Sequence, residues 1–108
     1  MRRFASLRRQ ADFARLRRHG RRVTTKSLVV YRGGLFADED SSLVGITVSK
    51  SIGKAVIRNK VRRRLAAILH ETLDARPAMR LLVVARPPAA DAPYRDLQAE
   101  VGAALAQA

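Results

Sequence analysis

Seven cations fall between Lys50 and Arg64 with no acid among them: Lys50, Lys54, Arg58, Lys60, Arg62, Arg63 and Arg64. Asn59 sits inside the run. Guanidinium groups offer planar forks of donors to phosphate oxygens, and ammonium groups offer point charge. An Asn side chain both donates and accepts at a base edge or a 2′-hydroxyl. The chemistry open to these residues is the holding of a polyanion. Five of the cations crowd into Arg58–Arg64, where like charges repel along a helix. A polyanionic neighbour relieves that repulsion, and structured nucleic acid is such a neighbour.

Bond-breaking chemistry finds little support. The chain has no cysteine, so disulfides, thiolate nucleophiles and Cys-based zinc sites are excluded. Only His19 and His70 are present, which excludes a His-rich metal site. His70 reads as a helix surface or packing residue, and His19, just before Gly20, as a cation at a helix C-terminus. Asp38, Glu39 and Asp40 could bind a hydrated cation, but a polar turn reads better as a solvated loop. There is no P-loop, Gly-x-Ser-x-Gly or His-Glu-x-x-His motif. We therefore assign no catalytic and no metal-ligating residue. The aromatic residues are Phe4, Phe13, Tyr31, Phe36 and Tyr94. Phe13 lies beside Arg15, Arg17 and Arg18, and Tyr31 shares a strand face with Val29. Both aromatics suit core packing, and both could stack an unpaired base.

The elements that must position these groups can be read from periodicity. Ile57, Val61, Leu65, Ile68 and Thr72 step by three or four residues, which predicts a helix at about 54–73 with an apolar stripe. On its wheel Asn59, Arg62 and Ala66 oppose that stripe, flanked by Arg58 and Arg63. The charge is thus fixed to a rigid, core-anchored element. Residues 10–18 predict a short helix stopped near Gly20. Residues 22–32 are rich in β-formers and predict a strand. Gly33-Gly34 and the acidic 38–42 stretch mark a loop, and Leu43 to Ser49 alternates as a second strand. Leu81 to Ala85 is a short continuous apolar run, the pattern of a strand covered on both faces. Pro87-Pro88 ends it. Asp91 and Pro93 open a last helix with Tyr94, Leu97, Val101 and Leu105 as its stripe. Residues 1–9 are basic and expected to be poorly fixed. The expected fold is an α+β (α/β) sandwich, a small mixed sheet of about four strands with three helices, in a single domain over 1–108.

Composition sets the outer limits. At 108 residues and 47% apolar, the chain can bury one core and is not a disordered basic tail. Its formal charge is +13. Residues 1–64 hold 18 Lys/Arg against 4 Asp/Glu, and residues 65–108 hold 4 against 5. The basic part therefore meets the partner, and the C-terminal part is scaffold. Such imbalance points to nucleic acid or anionic membrane. No apolar run reaches the roughly 20 residues of a membrane span. Met1-Arg2-Arg3 is not followed by the apolar segment of a secretory signal. A mitochondrial presequence competes for residues 1–18, but a soluble cytoplasmic protein fits better.

One family resemblance covers nearly the whole chain. Val44-Gly45-Ile46-Thr47-Val48-Ser49-Lys50, then Gly53, Ala55-Val56 and Arg58-Asn59-Lys60-Val61-Arg62-Arg63, resemble the protein component of bacterial ribonuclease P. Asp12-Phe13, His19-Gly20, Tyr31 and the strand running to Arg86-Pro87 extend the likeness. The resemblance implies a sheet with helices packed on it, like a domain of a ribosomal protein, and a left-handed βαβ crossover carrying the Arg-Asn helix. Patterning alone would favour a right-handed connection. It implies that Lys50, Lys54, Arg58, Asn59, Lys60, Arg62, Arg63 and Arg64 meet the catalytic RNA. It places Phe13, Arg17, Val29 and Tyr31 in a cleft for the single-stranded 5′ leader of precursor tRNA. The implied activity is that of an endoribonuclease subunit: hydrolysis of one phosphodiester leaves a 5′ phosphate on tRNA, with the chemistry carried by RNA and Mg²⁺. No membrane or small-molecule partner is implied. Two positions depart from the family. Arg17 stands where a second aromatic is common, and Ala66 and Ala67 stand where Arg and Glu often continue the motif. Three rival readings remain: an RNA-binding ribosomal or chaperone protein, a membrane-surface protein, and a protein-only nuclease.

Overall fold

The computed structural model describes residues 4–7, 9–34, 42–74 and 76–107. The acidic stretch 38–40 and Phe36 lie outside them. In chain order the elements are β1 (Phe4–Ser6), α1 (Gln10–His19), β2 (Arg21–Thr24), β3 (Leu28–Gly33), β4 (Ser42–Thr47), α2 (Ala55–Asp74), β5 (Arg80–Ala85) and α3 (Tyr94–Ala106), with 3-10 turns at Lys50–Ile52 and Pro87–Ala90.

The five strands form one mixed sheet in the order β1-β4-β5-β3-β2. β4 is parallel to both β1 and β5, and β3 is antiparallel to both β5 and β2. The expected count of about four strands is therefore one short. Phe4–Ser6, in the stretch expected to be poorly fixed, pairs with Ser42–Val44. The single strand expected over 22–32 is a hairpin. It reverses at Thr25–Ser27, where the Thr25 N–H donates to the Leu28 carbonyl at 2.8 Å. The Ser27 N–H donates to Glu100 Oε1 at 2.7 Å, and Arg86 Nη1 donates to the Thr25 carbonyl at 2.7 Å. Both anchors come from distant sequence, so local β-propensity gave no sign of the break.

β5 sits centrally and is buried along almost its full length, as a continuous apolar run requires. One face carries the main core, where Leu81 and Val83 meet Val61, Leu65, Ile68 and Leu69 of α2 and Leu97, Val101 and Leu105 of α3. The other face carries a smaller cluster of Leu7, Leu16 and Leu82, with Phe13, Tyr31, Leu43 and Val84 packed around it. α1 is anchored there by a buried ion pair, Arg80 Nη1 to Asp12 Oδ1 at 2.9 Å.

The apolar stripe of α2 differs in part from the expected one. Val61, Leu65 and Ile68 are buried, and the stripe continues through Leu69 and Leu73. Thr72 instead donates its hydroxyl to the Ile68 carbonyl at 2.8 Å. Ile57 is 37% exposed, because the first turn of α2 overhangs the core. The stripe turns toward α3, which packs on the second half of α2; Gln98 Nε2 donates to Glu71 Oε2 at 3.3 Å between the two helices. At the far end of α3, Arg32 and Arg76 both donate to the Leu105 carbonyl, at 3.3 and 3.4 Å. Two guanidinium groups thus meet the negative end of the helix dipole.

Candidate nucleic-acid interface

The chain enters α2 through a short 3-10 turn whose Ile52 is buried. Gly53 follows at φ 149°, a conformation that L side chains rarely adopt, and lets the backbone swing into the helix. Behind this pivot the cations are held by the burial of Val61 and Leu65 about two and three turns on. Lys50, Lys54, Asn59, Lys60, Arg62 and Arg63 are exposed. Among the described residues no carboxylate pairs with any of these cations. Arg62 Nη1 donates to Asn59 Oδ1 at 3.4 Å, a long bond that sets the two side chains next to each other. Val56, Asn59, Arg62 and Arg63 line one open concavity of about 360 Å³. Val56 is 77% exposed in that basic surround, a feature the sequence reading passed over.

Two members of the expected set differ from the rest. Arg58 is half-buried, and its Nε is buried without a hydrogen-bond partner. Arg64 turns to the protein's own surface, where Nη1 donates to the Ala92 carbonyl at 3.2 Å, just ahead of α3. Five cations of the run, Lys50, Lys54, Lys60, Arg62 and Arg63, therefore remain on the open side.

Of the four residues expected in a cleft, Phe13 and Tyr31 pack around the same cluster on the α1 face of the sheet. Tyr31 stands in a cross-strand row with Arg22, Leu82 and Gly45. Val29 lies two residues back on the same face of β3, half-buried. Phe13 reaches over from α1 onto Gly45, close enough that a Cβ there would lie 2.7 Å from Phe13 Cε1. Arg17, exposed, follows Phe13 by one helical turn. Glycine in a strand interior is a signal of such close approach, and Gly45 could have been read that way.

Phe13 also walls a cavity of about 330 Å³ between α1, the edge of β4 and α2. Its other lining residues are Ser6, Leu7, Val44, Gly45, Ile46, Arg62, Ala66 and His70. His70, read from sequence as a surface or packing residue, is half-buried on this wall. Arg62 lines both this cavity and the outer concavity. It links the basic helix face to the α1 side, a connection that no wheel of α2 alone could reveal. Among the described residues, no three His, Asp or Glu side chains gather as a metal site would require. Nor is any helix long and apolar enough to cross a membrane.

The family model for ribonuclease P matches residues 1–108. The chain belongs to the ribonuclease P protein family. A ribonuclease P protein component from Thermobifida fusca is 41% identical over 92% of this chain and 72% of its own length. One from Beutenbergia cavernae is 42% identical over 92% of this chain and 83% of its own length. Among solved structures, the Staphylococcus aureus ribonuclease P protein superposes with a TM-score of 0.83 at 31% identity, covering 93% of this chain and 91% of that one. The Thermotoga maritima ribonuclease P protein shares the fold at a TM-score of 0.74 and 22% identity, over 89% of this chain and 90% of that one. Ribonuclease P family membership accounts for the mixed sheet with three helices and makes the chain a protein component of a ribonucleoprotein that matures tRNA 5′ ends.

Proposed function

We propose that this chain binds the catalytic RNA of ribonuclease P through the first half of α2 and receives the 5′ leader of precursor tRNA on the α1 face of its sheet. The observation that carries this reading is the row of exposed cations Lys54, Lys60, Arg62 and Arg63 around Asn59, held on a core-anchored helix with no carboxylate partner among the described residues. The cleft of Phe13, Arg17, Val29 and Tyr31 lies on the opposite face of the same sheet. Bond cleavage, hydrolysis of one phosphodiester to leave a 5′ phosphate on tRNA, falls to the RNA partner with Mg²⁺ bound mainly by that RNA.

In this reading the protein's contribution is electrostatic and positional. Its cations screen the repulsion between two RNAs, and screening of this kind weakens as salt rises. The cleft adds affinity for a leader that mature tRNA lacks, so precursor is retained and product leaves. Arg17, in place of a second aromatic, shifts the balance of the cleft from stacking toward charge.

Reconstitution tests the proposal. Adding the chain to a bacterial ribonuclease P RNA at low Mg²⁺ is expected to restore 5′ processing of precursor tRNA. An RNA binder that leaves processing unchanged would contradict it. So would cleavage of precursor tRNA by the chain with no RNA partner.

A further inference from the structure

Basic groups gather a second time, at the end of the molecule away from the start of α2. Arg21 and Arg32 are Cα partners in the β2–β3 ladder. Their side chains stand side by side on one face of the sheet, where like charges directly opposite each other are destabilising. Arg32 follows Tyr31 in β3 and so points to the face opposite the cleft. Arg32 Nη1 and Arg76 Nη1 share the Leu105 carbonyl, at 3.3 and 3.4 Å, so one oxygen draws a third guanidinium close. The negative end of a helix dipole amounts to about −0.5 of an elementary charge, half of what a single one of these groups would need. Among the described residues no carboxylate pairs with any of the three, including Asp74, two residues before Arg76. The repulsion stands until an anion arrives from outside.

We propose that Arg21, Arg32 and Arg76 form a second phosphate site, which takes the backbone of a stretch of RNA separate from the one that lies on α2. The inference rests on the RNA-binding reading above and adds to it a contact that neither the basic helix nor the leader cleft contains. Arg21 and Arg32 line an open hollow of about 300 Å³ with Gly33, Gly34 and Ala78, and no acidic residue lies on its wall. A Cβ on Gly34 would meet nothing within 4 Å, so a ligand can approach the main chain there. Guanidinium forks match phosphate oxygens. Arg21 is exposed, while Arg32 and Arg76 are half-buried and already tied to Leu105, which lowers the cost of ordering them around a ligand. The site is remote from the first one. α2 spans 20 residues, about 30 Å of helix; Lys54 precedes it and Arg76 follows it, in a molecule 38 Å long. A phosphate held here is therefore not one of those at the start of α2. An RNA backbone suits the site better than a bilayer does. The exposed large apolar side chains among the described residues are Val56 and Ile57, both at the start of α2, so none stands beside this site to enter an acyl layer.

The chain has no cysteine, so one introduced thiol can carry a tethered iron–EDTA group that cuts nearby RNA. Ala78→Cys, on the wall of the hollow, and Ala55→Cys, at the start of α2, are each labelled and assembled with a bacterial ribonuclease P RNA, with and without precursor tRNA. The Ala78→Cys tether is expected to cut RNA at positions that the Ala55→Cys tether does not reach. The arms with and without precursor tell which RNA supplies the strand. Adding Arg21→Glu is expected to remove the cuts from Ala78→Cys and to leave those from Ala55→Cys. In the unlabelled chain, Arg21→Glu is expected to weaken RNA assembly several-fold. Arg95→Glu, the same change of charge on the exposed face of α3, is expected to weaken it far less. No cuts from Ala78→Cys beside clear cuts from Ala55→Cys, or equal losses for Arg21→Glu and Arg95→Glu, overturns the second site alone. Absence of cuts from both tethers overturns the RNA-binding reading beneath it.

Discussion

At the scale of single residues, neighbours in sequence divide their labour. Arg62 and Arg63 are exposed on the outer face of α2, while Arg64 donates to the Ala92 carbonyl. Arg62→Ala and Arg63→Ala are each expected to weaken assembly with the catalytic RNA several-fold in a filter-binding titration at fixed salt. Arg64→Ala is expected to cost less in that assay and to show instead as a lower melting temperature, since it removes a bond between α2 and the approach to α3. An equal loss of RNA affinity in all three variants would mean that the helix acts as diffuse charge. Tyr31→Ala carries a different expectation. It sits on the α1 face, away from the outer side of α2, so RNA assembly should be unchanged. Precursor binding should fall roughly tenfold relative to mature tRNA, the effect of one lost stacking platform. Equal loss for precursor and mature tRNA would refute its place in the cleft.

At the scale of elements, an ion pair between Asp12 and the buried Arg80 adds to the apolar packing that holds α1 on the sheet. Asp12→Ala removes the carboxylate from Arg80, a guanidinium almost fully inside. Breaking such a pair from one side costs about 3–5 kcal/mol, whereas replacing both partners with apolar residues of similar volume is often close to neutral. Urea unfolding should therefore show a large loss for Asp12→Ala and substantial recovery in Asp12→Leu/Arg80→Met. The pair also marks a limit of the sequence reading. α2, β4, β5 and α3 were legible because each carries its own period or continuous apolar run. β1 was not, because three residues have too little pattern to stand out from a basic terminus. The β2–β3 reversal was hidden because Glu100 and Arg86 hold it from far along the chain. The site divides in the same way. The basic face of α2 was legible from spacing, while the inward turn of Arg64 and the double role of Arg62 depend on packing among elements that no local window contains.

At the scale of the whole molecule, charge is sorted by face. The open side of α2 and the turn leading into it carry five exposed cations of the run, while Asp91, Asp96 and Glu100 line a groove beside the β2–β3 turn together with Lys26. If those five cations each neutralise one phosphate, the slope of log affinity against log salt should be about −3.5 on single-stranded RNA and about −4.5 on a duplex. Lys60→Ala should make the slope shallower by roughly 0.7–0.9, and Arg95→Ala, on the exposed face of α3, should not change it. A slope near zero would mean that ionic contacts do not drive assembly. The sheet order has a further consequence, for biosynthesis. β5 lies between β4 and β3 and joins the two edges of the sheet, yet it is the last strand to be translated. Until residues 80–85 leave the ribosome, the nascent chain holds its most basic segment without the strand that completes its scaffold. The growing polypeptide thus displays phosphate-seeking charge before it has a finished shape, next to the ribosome's own RNA.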